Sequence, residues 1–192
     1  MKRILIFGGT AFLVAFVVAF LMSFLPFPNE SKTLLPIVFG VLIAFAVTSM
    51  SGNKKVVKVG ADERARSLSA LPPDGQAVAW VYREGFVGKA VGINVSLDSQ
   101  DVAQLKSPAC TRILLTAGTH TLGASFSGIG GMSPNPASAP VDVKGGETLV
   151  FKLTMKMGAV KNTLLLEPQT DVAGTLQRLA STPMVQPLAA AG

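Results

Sequence analysis

The sequence predicts a membrane α-helical hairpin joined to a mainly-β domain, which is an antiparallel β-sandwich with a short C-terminal helix. Three observations predict this fold class. The mean hydropathy of the 192-residue chain is +0.48, which is higher than usual for a soluble domain. Long uncharged apolar runs are concentrated in the first 52 residues. After residue 75 the pattern changes to an alternation of apolar and polar residues, which is typical of strands.

The first predicted element is a transmembrane helix at about residues 4–25, because this run has no charged residue and is long enough to cross a roughly 30 Å hydrocarbon layer. A second span is predicted at about residues 34–51, where Pro36 lies near the helix start and does no harm. Pro26 and Pro28 in the connector end the first helix and reverse the chain, so the spans form a hairpin. The alternative for the first run is a cleaved signal peptide, whose apolar region is usually shorter.

The cations predict the orientation of this hairpin. They flank its two outer ends, whereas the connector has one Lys balanced by one Glu. Because cations favour the cytoplasmic side, we expect a bacterial inner (plasma) membrane protein with two spans and both termini cytoplasmic. The same cations account for the formal charge of +6 and the pI near 9.7. We expect them to contact anionic membrane lipids, so the basic charge does not call for nucleic acid as a partner. The candidate membrane-surface residues are Lys54, Lys55, Lys58, Arg64 and Arg66.

A basic juxtamembrane linker is predicted at residues 53–75, and the β-sandwich at residues 76–180. The sandwich is predicted because about seven or eight short stretches alternate apolar and polar side chains between turn-rich pieces. Trp80 and Tyr82 fall at inward positions of this alternation, so we expect them in the core. The predicted strands are residues 78–82, 91–97, 102–105, 111–116, 119–126, 139–143, 149–157 and 162–166.

The predicted C-terminal helix begins after Thr170, whose side chain can cap it. Val172, Leu176 and Leu179 recur at helical spacing and can lie on the sandwich. Residues 181–192 have no apolar period and are expected to form a flexible tail.

Four segments of the predicted sandwich follow one another in a distinctive order: Ala79-Trp80-Val81-Tyr82-Arg83, Gly92 to Asp98, a short strand that ends in Leu105-Lys106, and Ala117 to Leu122. This order resembles the DUF2846 family, whose members share a V-Y-R, V-x-V-x-x-D, L and P-G-x-H-x-L progression. The resemblance covers roughly residues 76–180 and implies a transthyretin-like or carboxypeptidase-regulatory-like sandwich. Ala117 stands where the family usually has Pro, and Ser99 where Gly often follows the Asp. The family has no known biochemical role, so the resemblance implies a fold and no activity.

The chemistry-bearing residues do not form a pattern that is typical of an enzyme. His120 is the only histidine, so no histidine cluster can ligate zinc, and we interpret Asp98, Gly118 and His120 as a structural turn. Cys110, the only cysteine, permits no intrachain disulfide. A thiol nucleophile with His120 as its base is the alternative, but the ten-residue separation does not place the two side chains together. We therefore predict no enzymatic activity, no catalytic residue, no metal site and no cofactor.

A glycine-rich run at residues 127–136 lacks the Gly-Lys-Ser/Thr ending of a P-loop and is interpreted as a long inter-strand loop. Long loops are often functional, so it is the candidate partner loop. The predicted function is a non-enzymatic, membrane-anchored accessory or scaffold protein that presents a cytoplasmic β-sandwich to a membrane-protein partner or a second copy of itself. The alternatives are a lipid- or small-ligand-binding module at the membrane surface and an envelope-facing glycan-binding module. The candidate loop residues are Gly128, Gly130, Gly131 and Met132.

Overall fold

The structure, a computed structural model, describes residues 12–13, 15–20, 23, 36–43, 56–86, 89, 91–126, 135–156, 158 and 162–188. By their contacts the residues divide into two units, Met1–Gly52 and Asn53–Gly192. Each unit is described by itself.

The described residues of the first unit are helical, but they do not form the predicted membrane hairpin. No helix in the described part of the chain is long and apolar enough to cross a membrane. The prediction of spans at 4–25 and 34–51 is therefore wrong, and so is the two-span inner-membrane location. The prediction rested on the length of two uncharged apolar runs, which is a property of composition. Within 4–25 and 34–51, the residues other than 12–13, 15–20, 23 and 36–43 lie outside the described ones.

The second unit is mainly β, with eight strands among its described residues. The alternation along each strand determines which side chains face inward; in β2, Ile93 and Val95 are fully buried while Asn94 and Ser96 are partly exposed. Each strand overlaps one of the predicted stretches. The strands are β1 (Gln76–Arg83), β2 (Ile93–Leu97), β3 (Gln100–Leu105), β4 (Ala109–Thr116), β5 (Gly118–Phe126), β6 (Ala137–Val143), β7 (Thr148–Lys156) and β8 (Thr163–Pro168).

The strands form two four-stranded sheets. Sheet I has the order β4-β1-β7-β8, and sheet II has the order β3-β2-β5-β6. All neighbouring pairs are antiparallel except β1 and β7, which run parallel with Trp80 opposite Val150. The prediction of a purely antiparallel sandwich is wrong at this pair, because the chain visits sheet II between β4 and β7 and re-enters sheet I beside its first strand.

The main hydrophobic core lies between the two sheets. Sheet I contributes Val81 and Leu153, and sheet II contributes Val95 and Leu122, all at most 1% exposed. Burial of such side chains stabilises the fold by about 1.5–3 kcal/mol each.

A second hydrophobic cluster covers the outer face of sheet I. It includes Trp80, Tyr82 and Cys110 from the sheet and Leu179 from a helix. Trp80 and Tyr82 are buried as predicted, but they point away from sheet II, because the alternation places them opposite to Ala79 and Val81. The alternation in the sequence shows which residues of β1 share a face. It does not show that both faces are covered, one by sheet II and the other by the second cluster.

The described residues of the second unit include two helices, α1 (Ala61–Ser69) and α2 (Val172–Leu179). Helix α1 lies within the predicted linker, and its Leu68 packs on the second cluster. Helix α2 is the predicted C-terminal helix, but its cap is Asp171 rather than Thr170, since Asp171 Oδ1 accepts a 2.9 Å hydrogen bond from the N–H of Gly174.

Residues 183–188, here called the C-terminal segment, are packed rather than loose. Their backbone extends sheet I beside β4, where the N–H of Cys110 donates to Pro183 O and the N–H of Val185 donates to Cys110 O, both at 2.9 Å. Met184 packs in the second cluster and Val185 in the core between the sheets. Because the segment is short and buries successive residues in different clusters, it has no apolar period, and the prediction of a flexible tail is wrong for these residues.

Candidate functional site

The predicted structural turn lies where β2 passes into β3. Leu97 pairs with Gln100, so Asp98 and Ser99 form a two-residue hairpin turn. Their φ angles of 49° and 71° are those of a type I′ turn, which needs positive φ at both central positions. Ser99 therefore occupies a left-handed position at which glycine is the least strained residue.

His120 connects this turn to sheet I. Its Nδ1 lies 2.7 Å from Asp98 Oδ2, and its Nε2 lies 3.0 Å from the backbone oxygen of Thr116. Asp98 Oδ1 accepts a further 2.8 Å hydrogen bond from the N–H of Thr121. Gly118, with a φ of 135°, makes the tight passage from β4 into β5 that brings His120 back over Thr116. The structure thus brings Asp98 and His120 together, with Gly118 at the connection that positions the imidazole.

Asp98, His120 and Thr116 are arranged in space like the acid, base and hydroxyl nucleophile of a catalytic triad, since Thr116 Oγ1 lies 3.3 Å from His120 Nε2. The backbone oxygen of Thr116 is closer to the same nitrogen, at 3.0 Å. An Nε2 that donates its proton to a carbonyl has no lone pair with which to activate a hydroxyl. The arrangement therefore favours a structural role for His120.

This geometry predicts that the stability of the protein falls as the pH rises above neutrality. The hydrogen bond to Asp98 raises the pKa of His120, with a further contribution from the Thr116 carbonyl, and the same bond lowers the pKa of Asp98. The His120 contribution is present below its unfolded pKa near 6.5 and is lost as the pH rises through its folded pKa. The Asp98 contribution is present above about pH 4 and is lost on acidification. The urea midpoint of the wild-type chain should therefore decrease between pH 5.5 and 8.5.

The control for this prediction is His120→Gln, which removes the titrating group and keeps a hydrogen-bonding side chain. We expect the midpoint of this variant to change less between the same two pH values. An equal change in both proteins would assign the pH dependence to other groups.

Cys110 is not a reactive thiol. It is fully buried in the second cluster, and burial raises its pKa to about 12, against a smaller lowering by Arg64. Because the thiolate is the nucleophilic form, Cys110 is almost wholly protonated at neutral pH. His120 bonds to Asp98 in the hairpin turn and to Thr116 at the far end of β4, whereas Cys110 is buried in the second cluster, so the structure does not support Cys110 and His120 as a catalytic pair.

The described members of the predicted membrane-surface set lie on and beside α1. Arg64 Nη1 donates to Thr182 O at 3.3 Å, which fastens α1 to the chain before the C-terminal segment. Arg66 is exposed and its Nε lies 3.4 Å from Asp62 O, while Lys58 is exposed beside Val185. Arg64 thus has a structural contact of its own. The other two members, Lys54 and Lys55, lie outside the described residues, as do Gly128, Gly130, Gly131 and Met132 of the predicted partner loop.

An exposed aromatic residue lies at the end of the sandwich that β1 reaches. Phe86 is 87% exposed. Gly85, with a φ of 113°, turns the chain out of β1, and its carbonyl accepts a 2.6 Å hydrogen bond from Ser107 Oγ. The N–H of Lys89 donates to Phe86 O at 3.1 Å, and the N–H of Ser107 donates to Lys89 O at 3.2 Å. These bonds hold the backbone on both sides of Phe86, and we call residues 84–86 and Lys89 the Phe86 turn.

A buried arginine stiffens the base of the Phe86 turn. Arg83, the last residue of β1, is 2% exposed, and its Nη1 donates to Val91 O at 2.6 Å and to Leu105 O at 3.2 Å. It therefore ties β1 to the start of β2 and the end of β3. A hydrogen bond donated by a charged guanidinium is stronger than one between two neutral groups.

Sequence reasoning missed both residues of this site. Arg83 was noted only as part of a motif, and Phe86 was not singled out. The available signal was the Glu84-Gly85-Phe86 order, in which a large apolar residue follows a charge and a glycine at the end of a strand.

Comparisons with known proteins add no relative for this chain. No protein-family model matches it, and no curated protein matches it significantly. The resemblance to DUF2846 stays a prediction.

Proposed function

We propose that this chain is a non-enzymatic accessory module whose β-sandwich presents the Phe86 turn to a protein partner. The observation that carries this proposal is a phenylalanine side chain that is 87% exposed on a hydrogen-bonded turn. Single exposed apolar residues are common on protein surfaces. The backbone carbonyls of Gly85 and Phe86 accept hydrogen bonds from Ser107 and Lys89, which lowers the loop entropy that binding through Phe86 costs.

The surroundings of Phe86 suit a protein interface. Aromatic anchors surrounded by polar residues dominate the binding energy of many interfaces. The exposed side chains of Glu84 and Lys89 provide such a polar rim.

The predicted partner loop begins at the same end of the sandwich. Phe126, the last residue of β5, pairs with Ile93, the first residue of β2. The chain therefore leaves β5 at the end where the Phe86 turn leads into β2. Residues 127–134 themselves lie outside the described ones.

Replacement of Phe86 by Ala tests the proposal. Because burial of a Phe side chain is worth about 2 kcal/mol, the variant should bind its partner roughly 30-fold more weakly. The measurement is quantitative recovery of a stoichiometric partner by the tagged full chain at native expression, with mild crosslinking. The stability of the variant should stay within about 0.5 kcal/mol of the wild type, because Phe86 is exposed.

Leu71→Ala is the matched control, because Leu71 is 85% exposed but precedes the start of β1, at the opposite end of the strand. We expect the control to retain the partner. Equal recovery by Phe86→Ala and Leu71→Ala, or a wild-type chain that is a solitary monomer, would refute the proposal.

A further inference from the structure

A groove of about 390 Å³ lies beside sheet I. None of the residues that line it belongs to the Phe86 turn. Its walls come from four elements, which are α1, β3, β4 and the C-terminal segment. The residues that matter for a ligand are Glu63 and Ser67 of α1, Val102 of β3, Arg112 and Leu114 of β4, and Met184, Gln186 and Leu188 of the C-terminal segment. Pockets for small molecules usually measure roughly 300–1,000 Å³. The groove is therefore large enough for one small ligand.

One nitrogen of the Arg112 side chain has no hydrogen-bond acceptor. Its Nε is shielded from solvent and has no hydrogen-bond partner. Burial lowers the pKa of its guanidinium. The other partly buried arginines differ, since Arg64 donates to Thr182 O and Arg83 donates to two carbonyls. Because Arg112 lines the groove and is only partly buried, the rest of its guanidinium is available for a charge-assisted hydrogen bond to an anion there.

The rest of the groove selects the kind of anion. Leu114, which is 46% exposed, and Met184 and Leu188 supply apolar surface for a hydrocarbon tail. The planar guanidinium of Arg112 matches a carboxylate in shape and charge. Glu63 on the α1 wall repels additional negative charge, so a monoanion fits better than a phosphate dianion.

We propose that this groove binds a small amphipathic carboxylate, with its headgroup on Arg112 and its tail along Leu114, Met184 and Leu188. This site is independent of the Phe86 turn. The ligand class follows from one guanidinium, apolar walls and a single opposing acid.

Decanoate is the probe that tests this site on the full chain. Trp80 is the only tryptophan and lies opposite Arg112 in the β1–β4 register, so its emission reports occupancy of the groove. We expect saturable binding of decanoate by fluorescence and by calorimetry. Arg112→Gln should weaken this binding by at least about tenfold, because a charge-assisted hydrogen bond is lost. Decanol, which lacks the carboxylate, should bind the wild type more weakly than decanoate by a similar factor.

Two further variants keep the test decisive if Arg112→Gln alters folding. Arg66→Gln removes an equal charge from exposed α1 surface, and we expect its decanoate affinity to match the wild type. Glu63→Gln removes the opposing acid, and its affinity should be higher than that of the wild type. The proposal is overturned if the wild type shows no saturable binding, if Arg112→Gln and Arg66→Gln bind equally, or if decyl phosphate binds more tightly than decanoate.

Discussion

Val185→Asp should destabilise the full chain by about 3–5 kcal/mol, because it places a carboxylate in the core between the two sheets. Val185 is 4% exposed, its N–H donates to Cys110 O, and its carbonyl accepts from Thr111 Oγ1 at 3.1 Å. Urea unfolding followed by the emission of Trp80 measures the change.

The matched control for this prediction is Gln186→Asp, one residue further along the same segment. Gln186 is exposed, so its replacement should change the stability by no more than about 0.5 kcal/mol. If both variants are equally mild, the C-terminal segment is loose in solution, contrary to the packing described above.

Leu179→Ala should cost about 2–5 kcal/mol, the usual range for a large-to-small change at a fully buried leucine. Leu179 is 0% exposed and lies in the second cluster with Trp80. Loss of its side chain leaves a cavity under α2, so the emission of Trp80 in the folded variant should shift to longer wavelength. The measurements are the urea midpoint and the emission spectrum of the native state.

Gln177→Ala in the same helix is the control for Leu179→Ala, because Gln177 is exposed. It should leave both the midpoint and the spectrum close to those of the wild type. An unchanged spectrum in Leu179→Ala would show that α2 does not cover Trp80.

The strands of the sandwich could be predicted because alternation depends on local geometry. Ile93 and Val95 face inward since successive side chains point to opposite faces, and this holds whatever the neighbouring strands are. The strand order depends on contacts between distant residues, so the parallel pairing of β1 with β7 left no local signal. Trp80 shows the same limit. Its burial was predictable, but the cover on its face comes from α1, α2 and the C-terminal segment, and the last two lie more than 90 positions later in the chain.

The candidate site was predictable only in part. Asp98 and His120 come from a recognisable turn motif, and the structure brings them to 2.7 Å. Phe86 had only the weak signal of the Glu84-Gly85-Phe86 order and Arg112 had none, because their significance lies in an exposure and in a missing partner of Arg112 Nε. The membrane hairpin failed for a different reason, since an apolar run measures composition and does not show where a helix begins and ends.

The most direct test of the proposed function is site-specific photo-crosslinking at position 86. Benzoylphenylalanine, which resembles the native residue in shape, is introduced at Phe86 or at Leu71 in the full chain at native expression. We predict one discrete protein adduct from position 86 and little or none from position 71; an adduct of twice the chain mass would identify a second copy as the partner. Equal labelling from both positions, or no protein adduct from position 86, would contradict the proposal.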